Sequence, residues 1–251
     1  MNQSPLSVII PVYNEEKNIR DCLESVQWAD EIVVVDGGST DRTQQISSQY
    51  TPHVVSTENA PAEAQRLKGL ERIKNEWFFL LDADERVSGD LHRQIEEVIR
   101  SSNPKTAYYV LRCNFRNGKP VHLHHPDYQL RLFRKSEART LPARIHRIPK
   151  IEGETGRLSG VLVHHFFASV QDYLAKLSKY TAIEASYWRQ EKRTLKGWGS
   201  IYYLIIRPAG RFLQYYFLKQ GFRDGFFGLF FCLSSAFYEL MVAALAMGDE
   251  S

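Results

Sequence analysis

The stretch WFFLLDADE, from Trp77 to Glu85, decides the fold and raises the first chemical question. Its bulky apolar residues predict a buried strand, and three carboxylates, those of Asp82, Asp84 and Glu85, follow at the exit of that strand. Repulsion makes such a cluster unfavourable unless positive charge lies beside it. The stretch therefore predicts one strand of an α/β sheet with a positively charged partner at its end.

Strands and helices alternate along the chain on both sides of this stretch. The other strands predicted here are Leu6–Val12, Glu31–Val35 and His53–Ser56. Helices with apolar residues three or four positions apart separate the strands, and another helix is expected after Ser88. We expect Asn14 to cap the first helix, and Asp41 with Gln44 to form a capping box for the second. This alternation predicts a parallel sheet with helices on both faces.

Beyond residue 104 the pattern changes. Three strand-like runs joined by polar loops follow, at Ala107–Phe115, Gln129–Phe133 and Gly160–Phe167. They predict a mixed extension of the sheet, after which the chain becomes helical and aromatic. We therefore predict an α/β catalytic domain over residues 1–170 and a helical C-terminal region over residues 171–251.

Composition limits the classes of function. The net charge is only +3 over 251 residues, so no nucleic-acid partner is expected. Cys22, Cys113 and Cys232 are widely spaced and predict reduced core thiols of a cytosolic protein, without a zinc site. The N-terminal sequence has no basic region and meets Pro11 too early for a signal peptide, so we expect a cytoplasmic location.

Acidic and polar residues follow several of the predicted strands. Asn14 and Glu15 follow the first, Asp36 ends the second, and Asp82 and Asp84 follow the fourth. Each has an ordinary explanation as a turn or cap residue, but ligands of open α/β sheets bind at the carboxyl ends of the strands. An Asp-x-Asp pair there suits Mg²⁺ or Mn²⁺. Neither a dinucleotide fingerprint nor a P-loop is present, so we expect phosphates to be held through metal.

Three segments together resemble the family 2 glycosyltransferases of the GT-A fold: LSVIIPVYNEEKNIRDCLESV, EIVVVDGGSTDRT and WFFLLDADE. The later YQLRLFRK, ARIHRI, VLVHHF and GFRDGFFGLF resemble the lipopolysaccharide-core β-glucosyltransferase-like branch, whose members act at the inner membrane. The resemblance implies inverting transfer of a sugar, most simply glucose from UDP-glucose, to a lipid-linked glycan such as lipopolysaccharide core. It also implies Mn²⁺ or Mg²⁺ as cofactor.

The resemblance also implies roles for individual residues. The nucleotide-sugar-binding set is Pro11, Tyr13, Asn14, Glu15, Asp36, Arg66, Lys68 and Asp82. Within it Asp36 would hold the base, and Asp82 would approach the ribose and the waters of the metal. Asp84 would ligate the metal, with His164 or His165 completing the site. For Arg66 and Lys68, ordinary surface charge on a helix is an equal alternative.

The sequence leaves several candidates for the general base. The resemblance implies a His-Glu pair after RLFRK, but here His146 is followed by Arg147. The candidates are therefore His146, Asp127, Glu152 and Glu154. An acceptor that is already ionised, such as a polyprenyl phosphate, needs no base and is the alternative acceptor. A non-catalytic protein that binds sugar nucleotides is the alternative from a different class.

Two further features of the sequence each have more than one interpretation. In YQLRLFRK, Arg131 or Arg134 can clamp an anionic acceptor or form a salt bridge with a nearby carboxylate. The segment Phe226–Met247 has Glu239 as its only charged residue, and aromatic and basic residues precede it. We rank peripheral attachment to the inner membrane first, packing in a soluble subdomain or an oligomer second, and a membrane span third.

Overall fold

The chain forms two compact units in a computed structural model that describes residues 5–137, 153–166, 169–190 and 198–247. The first unit comprises Met1–Cys113 and Pro126–His165. The second unit comprises Asn114–His125 and Phe166–Ser251. The predicted domain boundary at residue 170 stays a prediction, and the assignment of Asn114–His125 to the second unit had no counterpart in it.

The strands and helices follow one another much as predicted. The strands are β1 (Leu6–Val12), β2 (Glu31–Asp36), β3 (Val54–Ser56), β4 (Trp77–Leu80), β5 (Glu85–Val87), β6 (Ala107–Arg116), β7 (Lys119–Val121), β8 (Asp127–Arg134) and β9 (Thr155–His165). The α-helices are α1 (Ile19–Glu24), α2 (Thr43–Ser47), α3 (Ala62–Arg72), α4 (Gly89–Ile99), α5 (Val170–Gln190), α6 (Trp198–Ile201), α7 (Arg207–Leu213) and α8 (Gly225–Met247).

The sheet is parallel in its first part and antiparallel where β8 joins it. Its strand order is β3-β2-β1-β4-β8-β6-β9-β5. The pairs β2–β3, β1–β2 and β1–β4 are parallel, whereas β4–β8, β6–β8 and β5–β9 are antiparallel. The predicted α/β sheet with a mixed extension is confirmed.

Successive residues of β1 point to opposite faces of the sheet, so both faces need a cover. Val8 and Ile10 lie in a buried cluster with Leu23 of α1 and with residues of α4. Ile9 lies in a second cluster, against which Leu70 of α3 packs. Fully burying each such side chain contributes roughly 1.5–3 kcal/mol. Burial on both faces explains why the strand is apolar throughout rather than alternating.

The predicted helix caps are wrong. The N-cap of α1 is Asn18 and that of α2 is Arg42, and neither side chain makes a capping hydrogen bond. Asn14 instead has φ 55° and lies ahead of α1. Asn14, Asp41 and Gln44 direct their side chains to partners in the neighbouring loops or at the end of β2. Asp41 Oδ1 still accepts from the backbone N–H of Thr43 at the start of α2 (2.9 Å), but the Gln44 side chain bonds to Asp36 instead of completing the predicted capping box.

Two short strands were not predicted. Both β5 and β7 have only three residues, which is too short for an alternating pattern to stand out. The first residue of β5 is Glu85, the third carboxylate of the stretch that follows β4. Its strand conformation comes from pairing with β9, where Glu85 lies opposite His164.

The second unit joins a hairpin to a set of helices. The end of β6 pairs with β7. The carboxylate of Asp224 accepts hydrogen bonds from the backbone N–H of His122 (2.8 Å) and Leu123 (2.7 Å), just after β7. Between α6 and α8 the chain includes two π-helical turns, Tyr202–Ile206 and Gln214–Leu218. The buried Asp224 thus fixes the hairpin to the turn that precedes α8.

We predict that Gly160→Ala destabilises the first unit. A Cβ at Gly160 of β9 would overlap the backbone of Leu91 in α4, so the helix would have to move off the sheet. The expected loss is about 1–3 kcal/mol in the free energy of unfolding, measured by urea denaturation. Gly89→Ala is the matched control, because a Cβ there meets no atom within 4 Å. Equal losses in the two variants would contradict this account of the packing.

Candidate active site

The loops after β1 and β2 are joined by hydrogen bonds. The backbone N–H of Asn14 donates to Ser39 Oγ (2.9 Å), and Asn14 Oδ1 accepts from the backbone N–H of Thr40 (2.8 Å). The backbone N–H of Glu15 donates to Thr43 Oγ1 (2.8 Å). Asn14 and Glu15 are thus brought beside the turn that follows β2, as expected for the edge of one crevice.

Asp36, at the end of β2, is buried, and its carboxylate closes the turn that follows. Its Oδ2 accepts hydrogen bonds from the backbone N–H groups of Gly38 (3.0 Å) and Ser39 (2.9 Å) and from the amide of Gln44 (2.6 Å). The Ser39 hydroxyl donates to Oδ1. Both oxygens are therefore satisfied within the protein. The role of Asp36 in holding a nucleotide base stays a prediction.

Asp41 also links the loops that follow β1 and β2. Its Oδ2 accepts from the backbone N–H of Glu16 (3.1 Å), and its Oδ1 accepts from the backbone N–H (2.9 Å) and the hydroxyl of Thr43. Partial burial alone raises the pKa of Asp41, but these hydrogen bonds outweigh it and hold the pKa below its usual range. Asp41 is thus held as a carboxylate.

Arginine side chains lie beside the carboxylate of Asp82, at the end of β4. Arg66 Nη2 lies 2.6 Å from Asp82 Oδ1, and Arg131 Nη2 lies 2.7 Å from Asp82 Oδ2. Burial by itself raises the pKa of Asp82, but the two guanidinium groups outweigh it and hold the pKa far below its usual range. Of the two alternatives for Arg131, the salt bridge is therefore present.

Glu85 is the most buried carboxylate of the stretch, with no exposed surface. Its Oε1 lies 2.6 Å from Arg131 Nη2 and 3.5 Å from Arg112 Nη1. Its Oε2 accepts from the backbone N–H of Asp82 (3.1 Å). Burial raises the pKa of Glu85 above its usual value, although Arg131 opposes the rise. A buried carboxylate of this kind requires the arginine beside it.

Asp127, a candidate for the general base, lies in an ion pair on β8. Its Oδ2 is 2.7 Å from Arg112 Nη2, and its Oδ1 accepts from the amide of Gln129 (2.6 Å). Proton transfer to Asp127 would compete with these contacts, and its catalytic role stays a prediction. The other principal candidate, His146, lies outside the described residues together with Glu152.

Asp84 and His164 lie close together where β5 pairs with β9, although the residue directly opposite His164 is Glu85. Asp84 Oδ2 is 3.6 Å from His164 Nε2, and His165 donates its backbone N–H to the carbonyl of Asp84 (2.9 Å). In the described ranges no group of three or more His, Cys, Asp or Glu side chains converges to hold a metal. One carboxylate and one imidazole fit Mn²⁺ if donor oxygens and water complete the coordination.

The remaining predicted residues lie in different environments. Pro11 is buried within β1, whereas Tyr13, just after the strand, is 44% exposed. Lys68 Nζ lies 2.9 Å from Glu71 on its own helix, at the surface, rather than in the network around Asp82. The Glu154 side chain is 84% exposed. The predicted roles of these residues stay predictions.

Sequence reasoning missed how Glu85, Arg112 and Arg131 join the site. The sequence pattern marks Glu85 only as a third carboxylate and Arg112 only as one residue of a strand-like run. The available signal was a charged residue between apolar neighbours in a strand, as at Arg131 beside Leu132. Such a residue on a buried strand needs a partner of opposite charge, but the sequence does not say which one.

Comparison with known proteins extends these observations. Residues 7–150 match the profile of the family described as "Glycosyl transferase family 2". The "Lipopolysaccharide core biosynthesis glycosyltransferase LpsC" of Rhizobium meliloti (strain 1021) is 29% identical over 250 residues. That match covers 96% of this chain and 91% of LpsC. The similarity thus extends beyond the profile match into the C-terminal region.

Solved structures show the same fold at low sequence identity. The mannosyltransferase PcManGT from Pyrobaculum calidifontis, in complex with GDP-Man and Mn²⁺, has a TM-score of 0.57 at 15% identity, covering 98% of this chain and 88% of that one. S. aureus TarS 1-349 in complex with UDP-GlcNAc has a TM-score of 0.52 at 15% identity, covering 97% and 84%. These likenesses support the GT-A fold.

We predict that Asp41 contributes a pH-dependent part of the stability. Because the folded protein holds the pKa of Asp41 low, its contribution is present above the unfolded value of about 3.9 and is lost as the pH falls through the folded pKa. Asp41→Asn should therefore lower the free energy of unfolding by roughly 1 kcal/mol at neutral pH, and by less in acid.

Urea denaturation of the unchanged protein and of Asp41→Asn, from neutral pH down to acid pH, measures this difference in the free energy of unfolding. Asp90→Asn, at an exposed carboxylate on α4, is the control and should show a smaller difference at neutral pH. A difference for Asp41→Asn that grows toward low pH would contradict the assigned hydrogen bonds.

Proposed function

This chain belongs to glycosyl transferase family 2, and from that membership we propose that it transfers a hexose from a nucleoside diphosphate sugar to a lipid-linked glycan. The observation that carries the proposal is the position of Asp36, Asp82 and Asp84. They lie at or just beyond the carboxyl ends of β2 and β4, the two strands that flank β1. In α/β sheets this edge is where ligands bind.

The donor we propose is UDP-glucose, and the acceptor is a glycan of the lipopolysaccharide-core type. The name of LpsC, whose similarity covers 96% of this chain, supports the acceptor class. The UDP-GlcNAc bound to TarS supports a uridine nucleotide, whereas the GDP-Man bound to PcManGT shows that the same fold also takes guanosine nucleotides. Inversion at the sugar carbon follows from the resemblance to family 2 enzymes.

Each part of the donor has a proposed partner. The joined loops around Asn14 and Asp36 would bind the base and ribose, and Arg66 would donate to the diphosphate while Asp82 orients it. Asp84 and His164 would hold Mn²⁺ or Mg²⁺, with Mn²⁺ favoured by the imidazole. A divalent cation bound there neutralises negative charge that develops on the leaving diphosphate.

The acceptor hydroxyl must lose a proton, and His146 and Asp127 are the proposed bases. Asp127 would have to receive that proton while its Oδ2 lies 2.7 Å from Arg112 Nη2, so the ion pair would have to rearrange. The presence of Arg147 where the resemblance implies a glutamate favours a second candidate function. In that version the acceptor is a polyprenyl phosphate, which is already ionised and needs no base.

We predict metal-dependent binding of one nucleoside diphosphate. Isothermal titration calorimetry with UDP, GDP, ADP and CMP, each with Mn²⁺ and with EDTA, should show heat for one nucleotide, expected to be UDP, and only with Mn²⁺. Asp84→Ala should weaken that binding at least about tenfold while leaving the fold intact, because it removes the proposed carboxylate ligand.

The control is Asp90→Ala, because Asp90 lies on the surface of α4 in a pair with Arg93 and belongs to no part of the proposed site. Its nucleotide affinity should equal that of the unchanged protein. Equal affinity in the Asp84→Ala variant would overturn the metal assignment. Failure of the unchanged protein to bind any of the four nucleotides would overturn the proposed donor class.

We also propose that the second unit attaches peripherally to the cytoplasmic face of the inner membrane. Of the exposed large apolar side chains in the described residues, all except Tyr13 lie between Val170 and Leu245. The helix Gly221–Met247 has the length and composition to cross a membrane, yet 28% of its most apolar window is buried. A core helix of a soluble protein would be mostly buried, so this helix presents an apolar surface.

The charges of this segment favour an anionic membrane surface over a membrane span. Within residues 198–247 both carboxylates are buried, because Asp224 binds the hairpin and Glu239 pairs with Arg207 (2.8 Å) and Arg211. The outward-facing charge is therefore basic, for example at Lys219, and basic side chains bind anionic headgroups. An internal ion pair of this kind is typical of a packed helix rather than of an isolated span.

We predict that the protein sediments with vesicles of phosphatidylcholine and phosphatidylglycerol, less with phosphatidylcholine alone, and less at high salt. Phe226→Ser should weaken binding to both kinds of vesicle, and because this side chain is 85% exposed we expect the variant to fold. Lys219→Glu should weaken binding only to the anionic vesicles. No binding to either would favour packing in a soluble assembly, and resistance to alkaline carbonate extraction from cell membranes would favour a span.

A further inference from the structure

A series of six charged side chains runs through the first unit with alternating sign. In order the members are Arg66, Asp82, Arg131, Glu85, Arg112 and Asp127. The closest nitrogen–oxygen distances between successive members are 2.6, 2.7, 2.6, 3.5 and 2.7 Å. Three positive and three negative groups balance, so the series can be buried without net charge. It connects the proposed donor-binding residues to a proposed base.

Arg131 is the member on which the donor side of this series depends. A single atom, Nη2, contacts both Asp82 and Glu85, and the side chain is only 7% exposed. Its Nε is buried and has no acceptor, so these two carboxylates hold the guanidinium in place. The next residue, Leu132, pairs with Phe79 of β4, which places Arg131 beside the end of that strand.

The two contacts of Arg131 fix Asp82 in two ways. The direct contact orients the Asp82 carboxylate, whose other oxygen faces Arg66. The contact with Glu85 holds a second carboxylate that accepts the backbone N–H of Asp82 (3.1 Å). The Glu85 backbone N–H in turn donates to the carbonyl of Asp82 (2.9 Å). Arg131 therefore constrains both the side chain and the backbone of Asp82.

We propose that Arg131 is a positioning residue for the donor diphosphate, acting through Asp82 on Arg66 and on the loop that carries Asp84. It does not touch the donor itself. Without Arg131 the Asp82 carboxylate would keep Arg66 as its one arginine partner among the described residues and would rotate with it, so Arg66 would no longer be presented in one orientation. The inference rests on the proposed function, because it assumes that a nucleoside diphosphate binds here.

The alternative is that Arg131 only neutralises two buried carboxylates and so stabilises the fold. The two explanations predict different results when both members of the Arg131–Glu85 ion pair are replaced by neutral residues. Exchanging both charges for uncharged groups removes the electrostatic penalty and restores stability. It does not restore the hydrogen bond that orients Asp82. Stability and nucleotide affinity should therefore separate in a double variant.

The test measures the Kd of UDP in the presence of Mn²⁺ and the thermal midpoint of each variant. Arg131→Met should weaken UDP binding roughly tenfold, the effect expected from losing one charge-assisted hydrogen bond, and should lower the thermal midpoint. Arg131→Lys should recover most of the affinity, because one nitrogen makes both contacts in the unchanged protein. The double variant Arg131→Met with Glu85→Gln should recover the thermal midpoint but not the affinity.

Arg134→Met is the matched control on the same strand. Arg134 is 40% exposed, lies 3.8 Å from Glu76 and makes no contact with Asp82, so its UDP affinity should be unchanged. Full recovery of affinity in the double variant would overturn the proposal and leave Arg131 with a purely stabilising role. Unchanged affinity in a folded Arg131→Met variant would overturn it as well.

Failure of the proposed function gives a different result from failure of this inference. If the unchanged protein binds no UDP with Mn²⁺, the assumption of a uridine nucleotide at this site fails, and the positioning role falls with it. If the unchanged protein binds UDP and all Arg131 variants bind equally well, the donor class stands and only the positioning role is wrong.

Discussion

The buried guanidinium of Arg131 between Asp82 and Glu85 is the interaction on which the candidate site depends. Carboxylates at the end of a buried strand repel one another and lose hydration, so they need a positive partner. Arg131 supplies one from β8, the first antiparallel neighbour of the parallel strands. The mixed extension of the sheet is thus part of the site, because it carries the charge that the parallel part requires.

The two units differ in where their charged side chains lie. In the first unit, charged side chains meet at the carboxyl edge of the sheet, where each balances the next and the donor is expected to bind. Within residues 198–247 of the second unit, the Asp224 and Glu239 side chains are buried against internal partners, which leaves basic and apolar groups on the outside of this segment. The first arrangement suits a phosphate-bearing ligand, and the second suits an anionic, partly apolar surface.

Sequence patterns predicted the elements of the fold better than the contacts of the site. The apolar runs at β1, β2 and β4 predicted strands within one residue of their ends, because burial on both faces leaves little freedom of composition. The caps expected at Asn14 and Asp41 were wrong, because both helices begin later than expected and the Asn14 and Gln44 side chains bond to groups outside them. The three-residue strand that begins at Glu85 was missed, since its pairing with β9 is not visible locally.

The sequence by itself determined the α/β architecture, the family and the acidic residues that mark the carboxyl edge of the sheet. Hydrophobic periodicity and motif order are local properties of the chain, and they suffice for these conclusions. The tertiary structure decided that arginines lie beside these carboxylates, and that Asp82 and Asp127 belong to one series of ion pairs. Residues 15 to 49 positions apart in the chain meet there, and only strand pairing and burial select which charges meet.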